Sequence, residues 1–167
     1  LIKDIHVSEG MAGYRAVRLL STGAHKMDEI TIDGIYGLYT VNAILISAHC
    51  EDLAPYGTII IRNLACEVAG TPETAEYTRQ GLIHLENEHV SIDNLIIDGG
   101  SYTRTAANGQ FFKCPGTVKR LFAGNLNITV AKGAAFFGRG AFNCTGGSRA
   151  LVQEAYLSNI SINRGGE

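Results

Sequence analysis

The stretch "SIDNLIIDGG", from Ser91 to Gly100, decides how this chain folds. Ile92, Leu95 and Ile97 are apolar, polar residues stand among them, and a Gly-Gly pair follows. Leu95 and Ile97 are two residues apart, which is the period of a β-strand with one buried face. The stretch therefore predicts a strand that ends in a turn.

The same phrase returns along the whole chain: an apolar residue, two mostly polar residues, and then apolar, any residue, apolar. The central apolar residues of its six copies are Ile5, Ile30, Leu64, Leu95, Leu126 and Ile160. Successive centres are 25, 34, 31, 31 and 34 residues apart, so the period is near 31. Such a period is typical of solenoids, propellers and helical arrays, and the alternation by two excludes the helical arrays.

A second β-rich stretch lies within each period. These stretches cover residues 16–20, 43–46, 81–85, 109–112 and 134–137. A third short strand, as at Thr58–Ile60, can lead into the phrase. Two or three short strands per period, joined by corners rich in Gly and Asn, describe one coil of a parallel β-helix. Stacked coils about 4.8 Å apart place apolar residues over apolar residues and bury them together. We therefore predict an all-β fold of about six coils, with residues 1–167 forming one domain.

The residue before each centre is an acid or an amide in all six copies: Asp4, Glu29, Asn63, Asn94, Asn125 and Asn159. Asn tolerates the left-handed conformation that a sharp corner requires, and its amide can bond a neighbouring amide or backbone group. We predict that Asn63, Asn94, Asn125 and Asn159 form a ladder of stacked amides at one corner.

Composition narrows the function classes. The chain has 167 residues, enough for one domain with a real core, and its 20 glycines with 18% charged residues favour a turn-rich β protein. The formal net charge of −2 argues against nucleic-acid binding. The four cysteines have no CxxC spacing, and no apolar run reaches membrane-spanning length. Because the chain begins and ends within its pattern, we expect it to be a piece of a longer protein.

The recurring Asn-apolar-x-apolar phrase and the corner glycines resemble the right-handed parallel β-helices of the pectate-lyase-like superfamily, which includes bacteriophage tailspikes. This resemblance covers essentially the whole chain and implies a right-handed, single-stranded parallel β-helix. It further implies a side groove for an extended polysaccharide, with lyase, hydrolase or binding function, and phage members are typically trimers. The seven tyrosines are expected mostly in loops or at strand ends, where an exposed ring can stack on a sugar and a buried one can fill a loop core: Tyr14, Tyr36, Tyr39, Tyr56, Tyr77, Tyr102 and Tyr156.

From this resemblance we expect a polysaccharide-binding and polysaccharide-degrading domain of phage-tailspike type. It would be a homotrimer on a virion tail or outside the cell, acting on a bacterial surface glycan without nucleic acid or membrane insertion. One alternative is a secreted bacterial polysaccharide lyase or glycoside hydrolase. The other is a non-catalytic shaft or adhesin segment.

Three carboxylates form the first candidate site. Asp33, Glu67 and Asp98 each lie three residues after a centre, so stacked coils would bring them into one row. Neighbouring carboxylates can divide into an acid and a base, as in glycosidases, and such a row could instead bind Ca²⁺. The competing interpretation is that Asp33 and Asp98 begin Asp-Gly turns and that Glu67 is a solvated side chain.

The segment "HLENEH", His84 to His89, forms the second candidate site. Strand alternation places His84 and Glu86 on one side, and the next coil would bring Lys113 near His84. A His, a carboxylate and a Lys could together abstract a proton beside a uronate carboxylate, which is lyase chemistry. Arg139 occupies the equivalent region one coil further on. The competing interpretation is an exposed polar strand end with incidental salt bridges. Apart from Ca²⁺ at the carboxylate row, no cofactor is expected.

Overall fold

A computed structural model describes residues 1–7, 15–22, 25–49, 56–68, 81–104, 110–130, 142–144 and 147–164. Within these ranges the chain is all-β and its strands form two parallel sheets. In order across the first sheet are β1 (Ile2–His6), β3 (Met27–Tyr39), β5 (Tyr56–Val68), β7 (Ser91–Arg104), β9 (Thr117–Val130) and β11 (Leu151–Arg164). Across the second are β2 (Val17–Ser21), β4 (Ile44–Ala48), β6 (Gly81–Leu85), β8 (Gln110–Lys113) and β10 (Phe142–Asn143).

The chain alternates between the two sheets, and every strand pairs in parallel with the strand two places along the sequence. This arrangement is consistent with a parallel β-solenoid, as the repeat predicted. The described ranges contain no helix that could cross a membrane.

Four of the five predicted second strands are confirmed, because residues 16–20, 43–46, 81–85 and 109–112 coincide closely with β2, β4, β6 and β8. The fifth, residues 134–137, lies outside the described residues, and the strand that pairs with β8 is β10. The short strand at Thr58–Ile60 is continuous with the phrase that follows it and forms part of β5.

The register of the first sheet corrects two of the six predicted centres. One row of aligned residues contains Ile5, Ile35, Leu64, Gly100, Leu126 and Ile160. Ile30 and Leu95 belong to another row, where Ile59, Leu121 and Ala155 also lie. The reason is that each long strand carries two apolar phrases five residues apart, and the sequence pattern matched the earlier phrase in β3 and β7.

A row of left-handed residues separates the two phrases and bends each long strand. Its members have φ between 49° and 82° and are Asp4, Gly34, Asn63, Gly99, Asn125 and Asn159. Three of the four residues of the predicted amide ladder, Asn63, Asn125 and Asn159, therefore share this row. Asn94 does not: it aligns with Thr58 and Arg120, and its amide donates to the Thr58 hydroxyl at 3.1 Å. Gly99 occupies the place in β7 that was expected for Asn94.

The core lies between the sheets and consists of stacked aliphatic and aromatic rows. Ile61 and Ile97 of the first sheet and Ile83 and Phe112 of the second are almost completely buried. At the β11 edge the stack is open, since Leu157 is 56% exposed although its row partners further in are buried. An apolar cavity of about 180 Å³ opens there, lined by residues that include Phe112, Leu121, Val152 and Leu157.

Candidate functional site

A groove of about 340 Å³ runs across β7, β9 and β11 where these three strands bend. One wall is the row Ile96, Phe122 and Tyr156. Ile96 and Phe122 alternate with buried residues and so point outward, and Tyr156 is aligned with them. Asp98 and Asn125 line the groove beside this row, together with neighbouring small residues. The parallel register creates this groove, because it places residues from three successive strands side by side.

The two aromatic rings of the apolar wall stack on each other. The ring centroids of Phe122 and Tyr156 are 4.8 Å apart, and the ring planes differ by 9°. Phe122 is 37% exposed and Tyr156 is 53% exposed, so part of each ring still faces the solvent. The Tyr156 hydroxyl donates to Glu154 Oε2 at 3.0 Å, and this hydrogen bond with the nearby negative charge raises the pKa of Tyr156. The hydrogen bond also fixes the orientation of the outer ring.

The polar side of the groove is built from the left-handed row. Asn125 Nδ2 donates to Asp98 Oδ1 at 2.8 Å, and Asn159 Nδ2 donates to Asn125 Oδ1 at 2.8 Å. The same motif occurs two repeats earlier, where Asn63 Nδ2 donates to Asp33 Oδ1 at 2.7 Å. These bonds link neighbouring strands and hold the carboxylates and amides in fixed positions.

Neighbouring strands place different residues at the bend. In β3 and β7 the left-handed residue is Gly34 or Gly99, and the residue before it is an aspartate. In the next strand the left-handed residue is an asparagine, which bonds that aspartate because the glycine offers no side chain. The Asp-Gly pairs therefore lie at the bend inside β3 and β7 and not in turns between strands, and their aspartates accept hydrogen bonds from the amide row.

The structure separates the three carboxylates of the first candidate site. Asp33 and Asp98 share a row, but Arg62 lies between them, so their strands are about 10 Å apart. Glu67 lies in a different row, aligned with Leu38 and Thr103. The expected contiguous row does not form, because the three residues stand at different positions relative to the left-handed residue of their strand. Asp33 and Asp98 directly precede that residue, whereas Glu67 lies well after it.

Asp33 is held as an ionised carboxylate. Arg62 Nε donates to Asp33 Oδ2 at 3.0 Å. The hydrogen bond from Asn63 and the contacts with Arg62 lower the pKa of Asp33, which is the opposite of the shift a general acid needs. Among the residues described, no group of three or more His, Cys, Asp or Glu is placed to hold a metal ion.

The second candidate site is brought together on the outer face of the second sheet. His84 of β6 aligns with Lys113 of β8, as expected. Glu86 follows β6, and its carboxylate lies 3.1 Å from the guanidinium of Arg18. Arg18 also donates to the Ser47 hydroxyl at 3.3 Å. Arg139, the residue expected one coil further on, lies outside the described residues.

Burial dominates the electrostatics of this cluster. His84 is 7% exposed, and burial, with the charge of Lys113, lowers its pKa to about 3, so its imidazole is neutral at pH 7. Burial acts to raise the pKa of Glu86, but the hydrogen bond from Ser47 and the charge of Arg18 outweigh it and lower that pKa. The cluster therefore contains a neutral imidazole between a carboxylate and an ammonium group. The catalytic roles of His84, Glu86 and Lys113 stay predictions.

Sequence reasoning overlooked the part of the groove that Phe122 forms. The available signal was the period itself, because Phe122 and Tyr156 are 34 residues apart and both stand four residues before an asparagine-apolar phrase centre. Because both of these centres, Leu126 and Ile160, were assigned to the correct row, the period alone was enough to align the pair.

Comparison with protein-family models, with curated proteins and with solved structures gives no match.

Proposed function

We propose that this chain is a right-handed parallel β-helix of about six coils that binds an extended polysaccharide in the groove across β7, β9 and β11. Right-handedness is supported by the general rule for crossovers between parallel strands. The observation that carries the function is the groove itself, which has an apolar aromatic row beside fixed carboxylate and amide groups.

This pairing of surfaces suits a sugar chain. Sugar rings present apolar C–H faces, which pack on aromatic and aliphatic side chains such as Phe122, Tyr156 and Ile96. Sugar hydroxyls both donate and accept hydrogen bonds, which Asp98 and Asn125 can provide. In the described part of the groove the lining contains one carboxylate, Asp98, and neither Lys nor Arg. We therefore propose a neutral glycan, since the one charged side chain in this lining is a carboxylate, which repels an acidic glycan.

Removing the aromatic wall tests the proposal. The double substitution Phe122→Ala with Tyr156→Ala should weaken binding to a neutral oligosaccharide tenfold or more, measured by isothermal titration calorimetry after a glycan-array screen. Leu20→Ala is the matched control, because Leu20 is 42% exposed on the second sheet, away from the groove. Unchanged affinity in the folded double variant, or binding only to acidic glycans, would refute the proposed site.

A second candidate function is cleavage of an acidic polysaccharide at the cluster of His84, Glu86 and Lys113. The observation in its favour is that a neutral imidazole, which can accept a proton, aligns with an ammonium group that can pair with a uronate. Because His84 is buried, we place binding ahead of cleavage. Ultraviolet absorbance of an unsaturated product would indicate a lyase, and new reducing ends without it a hydrolase.

We further propose a homotrimer of phage-tailspike type on a virion tail or outside the cell, in agreement with the resemblance of the repeat. Light scattering that gives the mass of a monomer would contradict the trimer. Inertness toward every glycan tested would instead favour a structural shaft or adhesin segment.

A further inference from the structure

Two cysteines lie side by side on adjacent strands of the second sheet. The β8–β10 register pairs Phe112 with Phe142 and Lys113 with Asn143, so Cys114 and Cys144 follow as the next aligned residues. Aligned residues of neighbouring parallel strands have Cα atoms about 4.8 Å apart, within the range of about 4.4–6.8 Å that a disulfide spans. Both thiols are reduced in the structure.

The side chains of this pair are already in contact. The Cys114 and Cys144 side chains interact, and the Cys114 thiol donates to the Gly116 carbonyl oxygen at 3.2 Å. Cys114 is buried, whereas Cys144 is exposed and can be reached by a reagent in solution. Cys66 offers a contrast, because its register neighbours are Gly37 and Tyr102 and its thiol donates to the Ile35 carbonyl oxygen.

We propose that Cys114 and Cys144 form a disulfide between β8 and β10 when the protein meets a small disulfide such as oxidised glutathione. The Cys144 thiolate attacks one sulfur of the oxidant, which forms a mixed disulfide and releases one molecule of glutathione. Cys114 then loses its proton to solvent and attacks Cys144 Sγ, which releases the second glutathione. Two protein thiols are oxidised and one glutathione disulfide is reduced.

Burial makes the second step slow at neutral pH. Burial and the neighbouring Cys144 both raise the pKa of the Cys114 thiol, so little thiolate is present there. The rate of ring closure should therefore rise steadily as the pH is raised, whereas the first attack takes place at the exposed sulfur.

The disulfide would strengthen an edge of the second sheet. Within the described residues β10 spans two residues, and Cys144 lies beside the apolar cavity at the open β11 edge. A bond between residues 114 and 144 closes a loop of 30 residues in the unfolded chain. Closure of such a loop should raise the thermal unfolding midpoint by roughly 5–15 °C.

Peptide mapping tests the proposal directly. The folded protein is incubated with oxidised glutathione at mildly alkaline pH, alkylated, and digested with trypsin without reductant. The expected product joins the peptide Cys114–Lys119 to the peptide Gly140–Arg149, and reductant should separate them. The thermal midpoint should rise in the same samples.

Cys144→Ser should abolish both the cross-linked peptide and the rise of the midpoint, and it is the first variant to make because Cys144 is exposed. Cys66→Ser is the matched control and should retain the cross-link. If the folded protein yields only glutathione adducts at Cys144, or joins Cys144 to a cysteine other than Cys114, the proposal is wrong.

Discussion

Single residues in the left-handed conformation determine where each long strand bends. For a residue other than glycine this conformation costs about 1–2 kcal/mol, and asparagine and aspartate tolerate it best. Asn63 and Asn125 offset this cost with side-chain hydrogen bonds to the strand before them. Gly34 and Gly99 avoid the cost, and an aspartate beside each of them accepts the bond. Either a glycine or a hydrogen-bonded asparagine can therefore provide the left-handed conformation at the bend.

At the same scale, we predict that His84 makes the fold sensitive to mild acid. Its pKa is about 3 in the folded protein, against an ordinary value of 6.5, so the unfolded chain binds more protons between these two values. The free energy of unfolding is therefore unaffected above pH 6.5 and falls as the pH decreases toward 3. At pH 5 the loss should be about 2 kcal/mol, measured by urea unfolding at pH 5 and pH 7.5.

His84→Gln should remove most of this difference between the two pH values, while His25→Gln at an exposed position should leave it unchanged. The carboxylates with lowered pKa, such as Asp33 and Glu86, lose their contribution only at lower pH and do not obscure the comparison. Equal losses in the natural protein and in His84→Gln would contradict the assignment.

The sequence predicted which types of residue occupy the bend better than it predicted which residues lie there. An amide or acidic residue before an apolar phrase was recognised as a corner residue, and Asn63, Asn125 and Asn159 do share one row. Asn94 was assigned wrongly because it also precedes an apolar phrase. Glycine adopts the left-handed conformation and has no side chain that would mark the position in the sequence. Gly99 could therefore not be distinguished from an ordinary turn residue in the sequence alone.

At the scale of the element, each long strand contains two apolar phrases that flank a bend. The pattern predicted the strands but could not show which phrase aligns with which, because both phrases have the same period of two. The register then decides which side chains meet: it separates Glu67 from Asp33 and Asp98, and it brings Phe122 beside Tyr156. The groove is therefore a product of register, which a single sequence does not specify.

Substitutions at the two glycines of β7 should show how strictly the bend is constrained. A Cβ at Gly100 would lie 2.4 Å from the Leu64 carbonyl oxygen, so Gly100→Ala forces the backbone to move. A Cβ at Gly99 would lie 3.6 Å from Asn63 Oδ1, where there is room, and only its φ of 76° is unfavourable. Gly99→Ala should cost about 1–2 kcal/mol of unfolding free energy, and Gly100→Ala clearly more.

Urea unfolding provides the measurement, and Gly99→Asn provides the control. Because asparagine occupies this row in three other strands, Gly99→Asn should cost less than Gly99→Ala. A variant with asparagine that is as unstable as the one with alanine would show that conformation at this position is not the limiting factor.

At the scale of the whole molecule, stacking makes stability depend on position along the array. A residue in a central strand has neighbours from the strands on both sides, whereas β11 is paired on one side within the described residues. The first and last centres, Ile5 and Ile160, were placed correctly by the sequence, so the mean period was right even though two centres between them were misassigned. Errors of register in the middle of a repeat therefore leave the fold class unaffected.

Truncation of two residues in one row should reveal this dependence on position. Ile61 and Leu157 are both inward-facing members of the row that includes Ile97, yet Ile61 is fully buried and Leu157 is 56% exposed. Ile61→Ala should lower the free energy of unfolding by about 2–5 kcal/mol, because it leaves a cavity that its neighbours cannot fill. Leu157→Ala should lower it by less than about 1 kcal/mol, because much of the removed surface is already in water.

Urea unfolding monitored by circular dichroism measures both values, with Ile162→Ala as a second exposed control. Equal losses for Ile61→Ala and Leu157→Ala would mean that β11 is covered in solution, so the open edge would then be an interface, and its partner would have to come from another copy or another chain.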